Sequence, residues 1–221
     1  MSAPETVVVV GAGQGGVQVA ASLREEGFGG EIILVGEEPG LPYHRPPLSK
    51  AYLTGKSDAD SLSLRAEDFY RERRIQRRPG ERVEAIDRTS RHVRLSTGAK
   101  LGYDHLVLAT GARNRALPVT GAELDGVLQL RTLQDAEAIR QRLGDARHIV
   151  VVGAGFIGLE VAAVAAERRL DVTVVEATGR PMSRALSLPM SEFFRQAHER
   201  SGIRLECGAV VMRIIGENGR A

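Results

Sequence analysis

The sequence predicts an α/β fold: two dinucleotide-binding units, each a parallel sheet flanked by helices, with a small antiparallel β-meander between them. Three observations carry this. The apolar β-branched run TVVVV leads straight into GAGQGG, a helix pattern, the run EIILV and then an acid, Glu37. The same order returns in HIVVVGAGFIGLEVAAVAAERRLDVTVVEA, whose first glycine, Gly153, lies 142 residues after Gly11. Between the two copies, RVEAIDR, HVRLS and KLGYD alternate apolar and polar residues. Short all-apolar runs suit parallel strands covered on both faces, and alternation suits antiparallel strands with one wet face.

Taken in order, TVVVV is the first central strand. VQVAASLREEG places Val17, Ala20 and Ala21 at helical spacing and stops on Gly27, a helix C-cap. EIILV closes the first strand–helix–strand unit at Gly36-Glu37-Glu38. A stiff loop follows, LPYHRPPLSK, with Pro42, Pro46 and Pro47 and a terminal Lys50. Residues 66–74 read as a short helix, and the three alternating runs form the meander, with turns at Arg88-Thr89-Ser90 and Thr97-Gly98. HLVLATGA is another buried strand. Residues 113–133 lack periodicity and read as a crossing between domains, here divided as 1–115 and 116–221. LQDAEAIRQRLG is a helix with Asp135 and Glu137 near its start and Gly144 at its end. After the second glycine unit, SLPMSEFFRQAHERSG is an amphipathic helix with Met190, Phe193, Phe194 and Ala197 on one side. IRLECGAVVMRIIGENGRA reads as two short strands.

Composition narrows the function classes. Thirty basic and 28 acidic residues are too evenly balanced for a nucleic-acid binder, although the isoelectric point is near 8.9. No apolar run reaches the roughly 18 residues of a membrane helix, and the N-terminus has no charged leader, so a cytoplasmic location without membrane attachment is expected. A single cysteine, Cys207, excludes an internal disulfide. The scattered histidines, His44 among them, have no metal-ligand spacing, so no metal is expected. Arg71, Arg73, Arg74, Arg77 and Arg78 read as a solvated helix end and turn; a docking patch for an acidic partner, with Arg65 beside it, is the sharper alternative. Only three lysines occur against 27 arginines, which singles out Lys50, because lysine can be tuned and arginine cannot.

Each glycine turn has a physical task. Gly11 and Gly153 permit the tight turn, Gly13 and Gly155 let the backbone approach a pyrophosphate, and Gly16 and Gly158 let helix and strand pack closely. The helix N-terminus offers free N–H groups to the phosphates. Glu37, 21 residues after Gly16, and Glu176, 18 after Gly158, can accept hydrogen bonds from a ribose. An acid there favours a free 2′-hydroxyl and so NADH over NADPH, although Arg180 nearby could receive a 2′-phosphate. Two dinucleotide sites in one chain suggest electron transfer between a pyridine nucleotide and a flavin.

The succession GAGQGG, LPYHRPPLSK, YDHLVLATGAR, LRTLQDA and VVGAGFIGLEVA resembles the FAD-dependent ferredoxin reductases, over nearly all 221 residues. These are flavoproteins of the glutathione-reductase type that take electrons from NADH and serve P450 and ring-hydroxylating oxygenase systems. The resemblance implies FAD at the first fingerprint. Gly11, Gly13, Gly15 and Gly16 would line its pyrophosphate, Glu37 its ribose and Val83 its adenine end. Arg45, Lys50, Thr110, Gly111 and Arg131 would be further contacts, with Lys50 near the reactive flavin nitrogen. NADH would lie on Gly153, Gly155, Ile157, Gly158 and Glu176. Glu160 would sit near the nicotinamide and pair with the Lys50 ammonium; these two are the candidate catalytic residues. Asn114 replaces a proline common in the motif ending at Arg115.

The chemistry agrees, because a fixed cation stabilises the negative charge left on a flavin that has accepted hydride. Burying that lysine would require a partner such as Glu160. Disulfide reductases of the same superfamily carry cysteines where this chain has its proline loop, so electrons should leave for an external carrier, a ferredoxin- or rubredoxin-type iron–sulfur protein. Relatives add a Gly-Asp motif that completes the FAD domain, and then a C-terminal domain. Neither is found in the 221 residues, and Gly144-Asp145 follows a charged helix, so both domains are expected to be incomplete. Two readings remain open: part of an NADH-dependent reductase, or a nucleotide-binding chain with little or no turnover alone.

Overall fold

The computed structural model describes residues 5–221 and divides them into two compact units. The first takes the chain up to His44 and then Asp60–Arg113; the second takes Arg45–Ala59 and Asn114–Ala221. The single cut expected at residue 115 therefore differs from the observed division, because the chain leaves the first unit inside the proline loop and returns at Asp60. Residues 1–4, part of the leader-free N-terminal reading, lie outside the described residues.

In the first unit, β1 (Thr6–Val10), α1 (Gln14–Glu25) and β2 (Glu31–Gly36) follow the expected order. Gly27 has a φ of +84°, which suits a glycine just past a helix end. α2 (Glu67–Glu72) leads to β3 (Ile75–Pro79), and β7 (His105–Leu108) completes a parallel sheet of order β3-β2-β1-β7. β4 (Val83–Asp87), β5 (His92–Leu95) and β6 (Lys100–Gly102) form the separate antiparallel meander. The sheet is apolar on both sides because both are covered. Val7, Val9, Ile32 and Leu34 cluster with Val17 and Ala20 of α1, while Val8, Val10, Ile33 and Val35 cluster with Val93 and Leu95 of the meander.

β3 corrects the reading of the arginine cluster. Arg77 and Arg78 lie in an edge strand paired with β2, not in a turn. Arg77 donates to the Gly40 carbonyl at 2.8 Å, pairs with Glu67 and lies over the Tyr70 ring; Arg73 lies over Phe69. Only Ile75 gives this strand an apolar signal, because long arginine stems cover apolar surface while their heads remain polar.

In the second unit, α3 (Leu133–Asp145) starts with a capping box: Thr132 Oγ1 accepts from the Asp135 N–H, and the Asp135 carboxylate accepts from the Thr132 N–H. Gly144 falls in its last turn. β8 (His148–Val152), α4 (Phe156–Glu167) and β9 (Asp171–Glu176) repeat the first motif, and α5 (Leu188–Arg200) leads to β10 (Arg204–Cys207). The sheet order is β10-β9-β8, all parallel. Leu53 of the proline-loop segment is fully buried in this unit's core with Ile139, Leu159, Ala162, Val172 and Val174.

The expected helix forms as α5, but its apolar side is covered only in part: Phe194 packs against the core, whereas Met190 and Phe193 are exposed. The last expectation fails. After Cys207 there is no second strand among the described residues. Val210, Met212 and Ile215 are exposed, and only isolated bridges form, joining Arg213 to Thr120 and Arg220 to Asp125 and Glu217. An alternating pattern makes a strand only where a partner strand accepts its hydrogen bonds.

Candidate functional site: two glycine cradles and a lysine–glutamate pair

The two fingerprints have the same internal geometry. Gly11 (φ +110°) and Gly153 (φ +104°) occupy backbone conformations that favour glycine. A Cβ on Gly16 would overlap the Gly11 carbonyl oxygen, and one on Gly158 would overlap that of Gly153. Packing therefore explains these positions. It does not explain Gly13, Gly15 or Gly155, where an added Cβ would meet nothing within 4 Å. Gly13 and Gly155 are the N-caps of α1 and α4, with no side-chain cap. The open side of each cap fits a phosphate held by main-chain N–H groups. The fit to dinucleotides rests on this feature.

Around the first cradle, the Ala109–Thr110–Gly111 turn lies directly against Gly11, and Gly111 has a φ of +68°. Glu37 is paired with Arg113 at 3.0 Å and with Arg82 at 3.7 Å. The second contact brings the start of β4, where half-buried Val83 packs on the meander core, beside the expected ribose acid. Neither arginine was singled out from the sequence, because their role depends on pairing across distant segments.

In the second unit, Pro46–Ser49 forms a 3₁₀ turn that packs on α4. The turn delivers Lys50 to Glu160, with Nζ 2.8 Å from Oε1. The buried Ser49 hydroxyl donates to the other Glu160 oxygen. Sequence reasoning missed Ser49, and its adjacency to Lys50 is the signal that could have found it. The lysine side chain is 53% exposed, so the expectation of a buried lysine is corrected: Glu160 orients the ammonium rather than compensating its burial. His44 is exposed. Arg45 Nη1 donates to the Arg131 carbonyl at 2.6 Å, the Arg131 N–H donates to the capping Asp135 at 2.9 Å, and Arg131 Nε is buried without a partner. That orphaned donor suits a ligand acceptor.

At the second cradle, Ala154, Gly155, Phe156, Glu176, Thr178 and Arg184 contribute to the wall of a cavity of about 340 Å³. Ile157 is exposed at the start of α4. Glu176 accepts from the Ala154 N–H, the Thr178 N–H and the Thr178 hydroxyl, each at 2.8 Å. Burial pushes its carboxyl up, but these donors outweigh it and hold the group below the ordinary glutamate value. Arg180 donates to the Leu186 and Ser183 carbonyls at 2.9 Å each. Cys207 stands in register with Glu176, and burial together with that carboxylate pushes its thiol up, away from nucleophilic use. Among the described residues no cluster of three or more His, Cys, Asp or Glu could hold a metal, and no helix is long and apolar enough to cross a membrane.

Residues 5–221 match the sequence profile of the pyridine nucleotide-disulphide oxidoreductases. The chain belongs to this family. It is 50% identical over 216 residues to rhodocoxin reductase of Rhodococcus erythropolis, covering 98% of this chain and 51% of that protein. It is 45% identical to putidaredoxin reductase of Pseudomonas putida, covering 96% and 51%. Among solved structures, the ferredoxin reductase for the CYP199A2 system of Rhodopseudomonas palustris matches with a TM-score of 0.95 at 46% identity, covering 97% of this chain and 53% of that one. Putidaredoxin reductase in its covalent complex with putidaredoxin matches with a TM-score of 0.92 at 42% identity, covering 99% and 53%. The chain spans about half the length of these relatives.

Proposed function

We propose that this chain carries the two nucleotide-binding units of a cytoplasmic NADH-dependent FAD ferredoxin reductase. It would pass a hydride from NADH to FAD and then single electrons to a ferredoxin- or rubredoxin-type iron–sulfur protein serving a P450 or ring-hydroxylating oxygenase. The observation that carries this reading is the pair of open glycine caps, at Gly13 and Gly155, each with a nearby acid, in one chain. Relatives named for rhodocoxin, putidaredoxin and rubredoxin support the choice of acceptor.

Gly11, Gly13, Gly15, Gly16, Glu37, Val83, Thr110 and Gly111 would hold FAD, with Arg45, Lys50 and Arg131 as further contacts. Gly153, Gly155, Ile157, Gly158, Glu160 and Glu176 would hold the nicotinamide nucleotide. Bound FAD supplies a two-electron acceptor that can release electrons singly. The chain's own contribution is electrostatic. Lys50 Nζ, fixed by Glu160 and by the short turn before it, offers a positive charge to an acceptor gaining negative charge. Ser49 and Lys50 together fix the Glu160 carboxylate.

The test is a visible spectrum of the purified chain, then anaerobic addition of NADH. A flavin spectrum that bleaches is expected. A colourless chain that does not respond would leave a nucleotide-binding protein with little or no turnover. In the flavin-loaded protein, Lys50→Ala should slow NADH-dependent flavin reduction by about ten- to a thousand-fold in stopped flow; an unchanged rate would remove Lys50 from the mechanism.

A further inference from the structure

The cavity beside the second cradle contains a fixed anion and an uncommitted cation. Glu176 is the anion, and its charge is largely spent. A carboxylate offers about four lone-pair sites, and donors from Ala154 and Thr178 already fill three. One site remains, whereas a ribose presents two hydroxyls. The arginine expected from sequence to matter here, Arg180, is also spent, its guanidinium turned inward onto the Leu186 and Ser183 carbonyls. Arg184 differs. It lines the same cavity, it is exposed, its field lowers the Glu176 carboxyl, and it makes no hydrogen bond or ion pair among the described residues.

The wall that carries Arg184 is braced. The Met182 N–H donates to the Ala154 carbonyl at 2.8 Å, Ser191 donates to the Pro181 carbonyl, and Thr178 bonds Ser183 at 3.0 Å. Met182 has a φ of +49°, which turns the chain sharply just before Arg184. A free guanidinium on a fixed wall, next to a carboxylate already satisfied by its own backbone, suits a dianionic phosphate more than it suits a neutral hydroxyl.

We propose that Arg184 forms a 2′-phosphate subsite, so that the second unit takes NADPH as well as NADH, with Glu176 setting the balance between them. The proposal rests on the reading of this cradle as the nicotinamide-nucleotide site. The experiment measures, by calorimetric titration of the full chain, the affinities for 5′-AMP and for 2′,5′-ADP, which differ only by the 2′-phosphate. The wild-type chain should bind both. Arg184→Ala should lower the 2′,5′-ADP to AMP affinity ratio by about ten- to a hundred-fold, the loss of one charge-assisted contact. Glu176→Gln should raise that ratio by about tenfold, through removal of a like charge. If AMP binds but 2′,5′-ADP does not, or if Arg184→Ala leaves the ratio unmoved, the subsite is overturned and the nucleotide site stands. If neither ligand binds, both fall.

Discussion

Gly13 and Gly16 are the same residue type, three positions apart, and physics assigns them opposite consequences. A methyl group on Gly16 would collide with the Gly11 carbonyl inside the strand–helix junction, whereas one on Gly13 would enter open space. Gly16→Ala should therefore cost about 1–3 kcal/mol or more in a denaturant melt. Gly13→Ala should stay within about 1 kcal/mol, since alanine is only a poorer N-cap, yet should weaken FAD retention because the methyl group occupies the phosphate's approach. Equal melts for the two variants would contradict this assignment. Glu176 allows a second residue-level prediction. Its folded carboxyl titrates below its ordinary value of 4.5, so the stability it contributes is present above that pH and is lost as pH falls through the lower folded value. Thermal midpoints taken downward from about pH 5 should fall more steeply for wild type than for Glu176→Gln, which has no carboxyl to titrate. Parallel slopes would mean that the bonds to Ala154 and Thr178 do not hold in solution. These residues were legible to different degrees. The glycines announced themselves because the turn admits little else, but Ser49 and Thr178 act through partners, and Arg184 lies on a cavity wall, that sequence spacing does not reveal.

The two strand–helix–strand units invite comparison position by position. By their places before the glycine turn, Val8 and Val10 of β1 correspond to Val150 and Val152 of β8. The first pair is 0% and 8% exposed beneath the meander; the second is 63% and 47% exposed. The sequences of these strands are nearly interchangeable, so sequence alone predicted burial for both. What separates them is the covering layer, a nonlocal property, and the same cause leaves Met190 and Phe193 on α5 in the open. A hydroxyl placed at the two levels should report the difference. Val8→Thr buries an unpartnered polar group and should cost about 1–3 kcal/mol. Val150→Thr should change stability by no more than about 0.5 kcal/mol. If urea melts gave the two variants the same loss, the face of β8 would have to be covered in solution. The edge strand β3 teaches the converse: it pairs through its backbone, and its arginines hide it from any hydropathy pattern.

At the scale of the whole chain, the least legible feature is the excursion of Arg45–Ala59 out of one unit and into the other. Proline, turn and charge signals mark a loop there, but nothing local states which core it serves. Leu53 decides the matter physically. It is fully buried among Ile139, Leu159, Ala162, Val172 and Val174, residues at least 86 positions later, and its carbonyl accepts from Arg168 Nη2 at 2.6 Å. The turn that carries Ser49 and Lys50 is thus tied at its far end to the core that holds α4 and Glu160. Leu53→Ala should remove buried area and leave a cavity, at about 2–5 kcal/mol. The expected signature is regional. Amide hydrogen exchange should speed up in α3, α4 and β9 and stay at its wild-type rate in β1, α1 and β2, although Leu53 lies closer in sequence to the latter. Faster exchange in β1 and β2 instead would assign this segment to the first core and break the link between the proline loop and Glu160.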